Sequence, residues 1–229
     1  WGFINQNGKL VIPCQFDDAG SFLEGMARVK QNGKWGFIIT QGEIVVPCQF
    51  ENVSDFKEGL AKVADNRKYG FINPKGETVV TCQFENVFDF KEGLARVAHN
   101  RKYGFINPKG EIVIPCKFEF VFDFKEGLAV VRQNRKWGFI NTQGEIVIPC
   151  KFVSVDDFKE GLARVEQNDK WGFINTKGKL AISCQFVSVD DFSEGLAKVN
   201  PNDKWGFINT KGEIVVPCQF ENVSDFKEG

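Results

Sequence analysis

Histidine and methionine are nearly absent from this sequence, each occurring once in 229 residues. The single histidine, His99, excludes repeated His-based catalytic triads and repeated zinc sites that use histidine, because every such site needs its own imidazole. The sequence also lacks an excess of either charge, since 29 basic and 30 acidic groups leave a net charge of −1. Such a chain has no field to attract nucleic acid, so the sequence predicts no nucleic-acid partner.

Long apolar runs, phosphate-binding loops and paired cysteines are missing as well. No apolar stretch approaches the ~20 residues that cross a bilayer, so no membrane insertion is predicted. Neither G-x-x-x-x-G-K-[ST] nor G-x-G-x-x-G occurs. The seven cysteines include no C-x-x-C pair and lack the spacing of a zinc site. The sequence therefore predicts no metal, no cofactor and no enzymatic activity.

The residues that are abundant follow a repeat. Trp-Gly or Tyr-Gly recurs every 34 residues without insertion or deletion, and cysteine keeps the same interval. The repeats begin at residues 1, 35, 69, 103, 137, 171 and 205, and the last is truncated. We expect one repeat array over residues 1–229. Because the sequence begins and ends inside a repeat, we also expect it to be part of a longer protein.

Each repeat is predicted to hold three short strands. The first is the W-G-F-I-N segment, and the second runs from Lys9 to Phe16 with period-two alternation. The third is of the type Met26–Val29. Asn32-Gly33, between the third strand and the next Trp-Gly, is a strong hairpin signal.

These elements predict an all-β tandem repeat array of three-stranded β units, stacked as an open superhelix or solenoid. The alternative is a closed seven-bladed β-propeller. A repeat of 34 residues is short for a usual four-stranded blade of about 40–50 residues. A closed ring also needs one terminus to complete the blade that the other begins, and the third strand is missing at both ends.

Several recurring residues are interpreted as structural. A large ring beside a glycine allows a neighbouring strand to pack closely, which explains the Trp-Gly pair. Alternation places Cys14 beside Ile12 and Phe16 on the apolar face, where a free thiol behaves as a small buried hydrophobe. Asp55 and its equivalents recur too often for a carboxylate pair in acid–base catalysis.

The segments Lys34-Trp35-Gly36-Phe37-Ile38 and Phe56…Glu58-Gly59-Leu60-Ala61 recur seven times, the last copy incomplete, and resemble the WG (or KWG) repeat family of bacterial proteins. The resemblance implies a β-repeat scaffold with no catalytic activity attached to the motif. It implies a structural or protein-interaction role in a bacterium. Buried free cysteines favour a reducing compartment, so the cytoplasm is the predicted location, with the cell surface as the alternative. The alternative function is a carbohydrate or cell-envelope binding module that uses the repeated aromatic residues.

Function in a repeat array is expected at positions that differ between copies. The third and fourth repeats hold extra phenylalanines and arginines, a composition typical of protein-binding patches. The predicted partner-binding residues are Phe88, Phe120, Phe122, Arg67, Arg101 and Arg135. The predicted partner is a protein, and unpaired terminal strands make self-association a further expectation.

Overall fold

The computed structural model describes residues 1–224, which form β-strands and turns without a helix. The chain divides into two compact units, Trp1–Lys117 and Phe118–Gly229. The prediction of an all-β tandem repeat array is confirmed, and no sheet of the described residues closes into a barrel.

Twenty-six strands account for the regular structure. Those that begin in the first unit are β1 (Phe3–Ile4), β2 (Leu10–Ile12), β3 (Asp18–Ala19), β4 (Met26–Gln31), β5 (Lys34–Ile39), β6 (Ile44–Phe50), β7 (Asn52–Val53), β8 (Ala61–Asp65), β9 (Lys68–Ile72), β10 (Thr78–Phe84), β11 (Asn86–Lys91), β12 (Leu94–His99), β13 (Lys102–Ile106) and β14 (Ile112–Phe118). Those of the second unit are β15 (Phe120–Val121), β16 (Leu128–Gln133), β17 (Lys136–Asn141), β18 (Ile146–Phe152), β19 (Ser154–Val155), β20 (Leu162–Gln167), β21 (Lys170–Asn175), β22 (Leu180–Phe186), β23 (Ser188–Val189), β24 (Leu196–Asn200), β25 (Trp205–Asn209) and β26 (Ile214–Phe220).

Each four-stranded sheet is an antiparallel meander that begins in one repeat and ends in the next. Strands lie side by side in chain order, as in β3-β4-β5-β6, and β7 to β26 form five more four-stranded sheets of the same kind. β1 and β2 form a two-stranded sheet. The Trp-Gly strand of one repeat therefore pairs with the last strand of the preceding repeat, through the predicted hairpin.

The structure corrects the predicted three strands per unit to four. The additional strand is the two-residue segment of the type Asn52–Val53, in which Val53 is buried and pairs with Val63 of β8. Two residues are too few to show a period-two pattern, so alternation alone does not find this strand. A repeat of this length holds four strands because tight turns such as Asn32-Gly33 connect them.

The glycine after each Trp or Tyr lies under an irregular segment of the neighbouring strand. Trp35 pairs with Phe50 and Phe37 with Val46, so β6 bulges opposite Gly36. A Cβ at Gly36 would lie 2.7 Å from the backbone nitrogen of Cys48, well inside van der Waals contact. The predicted reason for the Trp-Gly pair, close approach of a neighbouring strand, is confirmed.

The apolar core lies between consecutive sheets. In the first unit, Phe37 and Val46 of one sheet pack against Phe56, Val63 and Ile72 of the next. The rings of Phe37 and Phe56 meet edge to face, with centroids 4.7 Å apart. Equivalent ring pairs recur as Phe71–Phe90, Phe139–Phe158 and Phe173–Phe192. Neighbouring repeats thus complete each other's cores, as expected for a repeat protein.

Six of the seven cysteines are half-buried against this core, and all seven are free thiols. The thiol of Cys48 donates to the carbonyl of Val29 at 3.7 Å, and burial is the main cause that raises its pKa. Cys14 departs from the predicted burial, because its two-stranded sheet has no strand equivalent to β4 beside it, and it is exposed.

Replacement of Gly36 by alanine is expected to destabilise the protein by about 2–3 kcal/mol, because the clashing atoms are backbone and cannot move aside. Gly25→Ala is the matched control, since nothing lies within 4 Å of the added methyl group and only the positive φ is unfavourable. That control should cost about 1 kcal/mol. Urea unfolding measures both, and equal losses would contradict the close-approach explanation.

Cys14 should react with iodoacetamide at neutral pH well before the other six thiols. Burial raises the pKa of Cys48, Cys82, Cys116, Cys150, Cys184 and Cys218, which lowers the fraction of reactive thiolate. Mass spectrometry of peptides after timed labelling gives the order of reaction. Labelling in guanidinium chloride is the control, where all seven should react alike.

Candidate functional site

A basic side chain of one repeat contacts an aspartate of the next repeat, 27 residues further along the chain. Three such contacts are Arg28 Nε–Asp55 Oδ1 at 3.4 Å, Lys62 Nζ–Asp89 Oδ1 at 2.7 Å and Arg164 Nε–Asp191 Oδ1 at 2.8 Å. We call the first position the register position; it is held by Arg28, Lys62, Arg96, Val130, Arg164 and Lys198. The register aspartates are Asp55, Asp89, Asp123, Asp157 and Asp191.

These contacts give the repeated carboxylates a structural role. The pKa of Asp89 lies below its ordinary value, chiefly because Lys62 donates a hydrogen bond to it. Asp191 in turn raises the pKa of Lys159 by accepting a hydrogen bond from it. A general acid needs a raised carboxyl pKa, which is the opposite shift from that of Asp89.

The fourth repeat breaks the pattern, because Val130 occupies the register position. Val130 is buried and packs into the core of the second unit. The register aspartate of the following repeat, Asp157, is exposed, and no basic side chain of residues 1–224 forms an ion pair with it. Lys125 does not reach Asp157, although its equivalent Lys159 contacts a register aspartate.

Three aromatic rings meet beside Val130, and we call Phe120, Phe122 and Trp137 the aromatic cluster. The ring centroids of Phe120 and Phe122 are 5.2 Å apart, and both lie within 6.0 Å of the Trp137 ring. Phe122 N–H donates to the Val130 carbonyl at 2.9 Å. The Arg132 guanidinium lies 5.4 Å from the Trp137 ring. Phe120 and Phe122 keep 37% and 45% of their surface exposed.

Phe88 lies in the other unit and has a different environment. Its ring is half-buried and carries the guanidinium of Arg96 at 4.0 Å from the ring centroid. This contact is a cation–π interaction that covers one ring face. The structure therefore brings Phe120 and Phe122 together, whereas the Phe88 ring pairs with Arg96.

Arg67, Arg101 and Arg135 are turn residues in left-handed conformation, with φ between 58° and 60°. Each backbone N–H is bound by a glutamate; Arg101 N–H donates to Glu85 Oε2 at 3.1 Å. This bond is the main reason that the pKa of Glu85 lies below its ordinary value. The three arginine side chains are exposed at hairpin tips. Their participation in partner binding stays a prediction.

The glutamate that accepts a hydrogen bond from each turn arginine is present or absent together with that arginine. Glu119 accepts a hydrogen bond from the backbone N–H of Arg135 at 3.1 Å. In the fifth repeat, Val153 replaces the glutamate and Asp169 replaces the arginine. A glutamate beside an aspartate turn would place two negative charges together, so this variation is explained by turn electrostatics.

Basic side chains occupy one face of several tryptophan rings. Arg28 and Lys30 both lie 5.7 Å from the Trp35 centroid, and Arg164 lies 5.8 Å from that of Trp171. A ring that stacks on a sugar needs an open face. At these tryptophans a sugar would have to stack on the ring face that the cations leave open, and the carbohydrate-binding alternative stays a prediction.

Metal-ligand groups and membrane-spanning helices are both absent from residues 1–224. Their His, Cys, Asp and Glu side chains form no group of three that could hold a metal ion. The same residues contain no helix with the length and apolar character needed to cross a membrane.

The fold and these contacts define an all-β tandem-repeat protein with inter-repeat ion pairs. The chain belongs to the family described as WG containing repeat, whose profile matches residues 1–35, 35–69, 69–103, 103–137, 137–171, 171–205 and 205–229. The predicted resemblance is confirmed. No curated protein matches the chain.

Solved structures with partial similarity include Hsv2p of Kluyveromyces lactis, at 10% identity and a TM-score of 0.39, covering 82% of this chain and 71% of that one. A eukaryotic initiation factor has 12% identity and a TM-score of 0.43, covering 95% and 71%. The AfRom2 CNH domain has 8% identity and a TM-score of 0.37, covering 88% and 83%. At these scores the superposition is partial, and the fold of this chain stands on its own strand pairing.

The Lys62–Asp89 contact should stabilise the protein in a pH-dependent way. A carboxyl whose pKa falls on folding stabilises the folded state above its unfolded pKa of about 3.8 and loses that contribution as pH falls through the lower folded pKa. Asp89→Asn should therefore cost about 0.5 kcal/mol at pH 6, and less as pH falls below 4. Asp157→Asn is the control, because that residue has no basic partner among residues 1–224, and it should change stability little at pH 6.

Proposed function

We propose that this chain is a non-catalytic repeat scaffold that binds a protein partner through the aromatic cluster. The observation that carries the proposal is the exposure of Phe120 and Phe122, two large apolar rings held against each other on the edge strand β15 and at the residue that follows it. Large exposed apolar groups that cluster on a soluble protein mark interaction sites. Aromatic and arginine side chains are also the residues that contribute most at protein interfaces.

The cluster is held in place by its neighbours. Each of its rings contacts the other two, and Phe120 pairs across the strands with Arg132. Arg132 lies over Trp137 and 4.0 Å from Glu119. Side chains that are ordered before binding lose less conformational entropy on binding, which favours affinity.

The remaining repeats supply the frame. Their residues equivalent to Phe120 are small or polar, with Asn52 in the second repeat and Ser154 in the fifth. Their residues equivalent to Phe122 are small or polar too, except Phe88 in the third repeat. The fourth repeat thus differs from them by having apolar rings at both positions of a common backbone. Because each ring is already more than half buried, covering the rest of it with a partner would contribute about half of the 1.5–3 kcal/mol of a full burial.

The double variant Phe120→Ser/Phe122→Ser tests the proposal. A partner is first captured by the whole chain from lysate of the source organism, identified, purified and titrated by calorimetry. The double variant should bind that protein about a hundredfold more weakly, because two buried rings are lost. Phe88→Ser is the matched control and should bind like the parent, since Phe88 is covered by Arg96.

Equal affinity of the parent and the double variant would refute the proposal. Thermal melting of the double variant separates binding from folding. Because both rings are exposed, the melting temperature should stay within a few degrees of that of the parent. Loss of the cooperative transition would show that the rings are structural, and the proposal would fail.

A further inference from the structure

In the fifth repeat, the cation at the register position lies between two groups that receive it. Arg164 contacts Asp156 at 2.8 Å on its own sheet and Asp191 at 2.8 Å in the next repeat. In the third repeat, the receiving group on the same sheet is the ring of Phe88, 4.0 Å from the Arg96 guanidinium. One receiving group is therefore a carboxylate or an aromatic ring, and the other is the register aspartate.

The fourth repeat has both receiving groups and no cation. Phe122 corresponds to Phe88 and Asp156, Val130 to Arg96 and Arg164, and Asp157 to Asp191. In the fifth repeat a single guanidinium spans the equivalent positions, so one basic side chain has the size to contact both Phe122 and Asp157. Val130 is uncharged and too short to do so.

Three of the other charged groups nearby, Asp156, Arg132 and Lys159, are already engaged. Asp156 contacts Arg164 at 2.8 Å, and Arg132 lies beside Glu119 and over the Trp137 ring. Lys159, the basic side chain closest in sequence to Asp157, contacts Asp191. Asp157 is therefore the acidic group at this end of the fourth repeat that a partner can pair with.

We infer that the protein partner supplies the missing cation: an arginine or lysine whose carbon chain lies over Phe122 and whose charge pairs with Asp157. This inference rests on the proposed function, because it places the basic residue beside the aromatic cluster. Around the basic residue, the partner presents apolar side chains to Phe120 and Phe122. Charge complementarity determines which apolar segments of a partner bind. A segment with an acidic residue in place of the arginine or lysine would be repelled by Asp157.

A phage-displayed library of random 12-residue peptides, selected on the whole chain, tests the inference. Selected peptides should be rich in arginine or lysine flanked by apolar residues. Asp157→Asn should bind the best such peptide about tenfold more weakly than the parent. A peptide with glutamine in place of its basic residue should bind the parent and Asp157→Asn equally. Asp55→Asn is the matched control, because Asp55 pairs with Arg28 inside the chain, and it should bind like the parent.

The outcomes separate this inference from the proposed function. If Asp157→Asn binds the basic peptide as tightly as the parent does, the inference is wrong. Loss of the same peptide by Phe120→Ser/Phe122→Ser would then still support the proposed function. If selected peptides bind that double variant as well as the parent, both the inference and the proposed function are wrong.

Discussion

The close approach of two strands at each Trp-Gly pair is the constraint on which the repeat depends. Because the neighbouring strand bulges over Gly36 and its equivalents, no side chain fits there. Because of the bulge, Trp35 pairs with Phe50 while Phe37 pairs with Val46. The buried pair, Phe37 and Val46, therefore still faces the next sheet. A glycine at this interval fixes where each sheet bends, and the core contacts between sheets follow from it.

On this frame, the surface positions differ from repeat to repeat in correlated ways. Register cations occur with register aspartates, and turn arginines occur with glutamates such as Glu119. The fourth repeat departs in a correlated way too, since Val130 replaces a cation in the one repeat that has phenylalanine at both of the positions held by Phe120 and Phe122. Such a combined change is the pattern expected of a site that specialises one copy of a repeat for binding.

Much of the fold could be predicted from the sequence because the repeat preserves the long strands and the hairpin at Asn32-Gly33. The fourth strand was missed since Asn52–Val53 is too short for a periodic pattern. Of the candidate site, Phe120 and Phe122 do lie together, whereas the separate environment of Phe88 depends on its contact with Arg96. Trp137 was not singled out because every other repeat also has a tryptophan or tyrosine at the equivalent position.

Val130 was detectable in the sequence, since it is the one register position without a basic residue. Its meaning was not, because the contact between repeats joins residues 27 positions apart that no local pattern connects. Only the packing of consecutive sheets shows that a cation there reaches the aspartate of the next repeat. The same packing distinguishes Asp157 from the many other carboxylates of the chain, because its register position holds valine and not a basic residue.

The central claim concerns the register pair at Val130 and Asp157. The aspartate, which belongs to the fifth repeat, is present, and only the cation of the fourth repeat is missing. A double-mutant cycle with Val130→Arg and Asp157→Asn, measured as free energies of unfolding in urea, tests it most directly. Asp157→Asn should be nearly neutral in the parent and cost about 0.5–1 kcal/mol in the Val130→Arg chain, where the pair would be restored. The same effect in both backgrounds would mean that a cation at position 130 does not reach Asp157, and would contradict the claim.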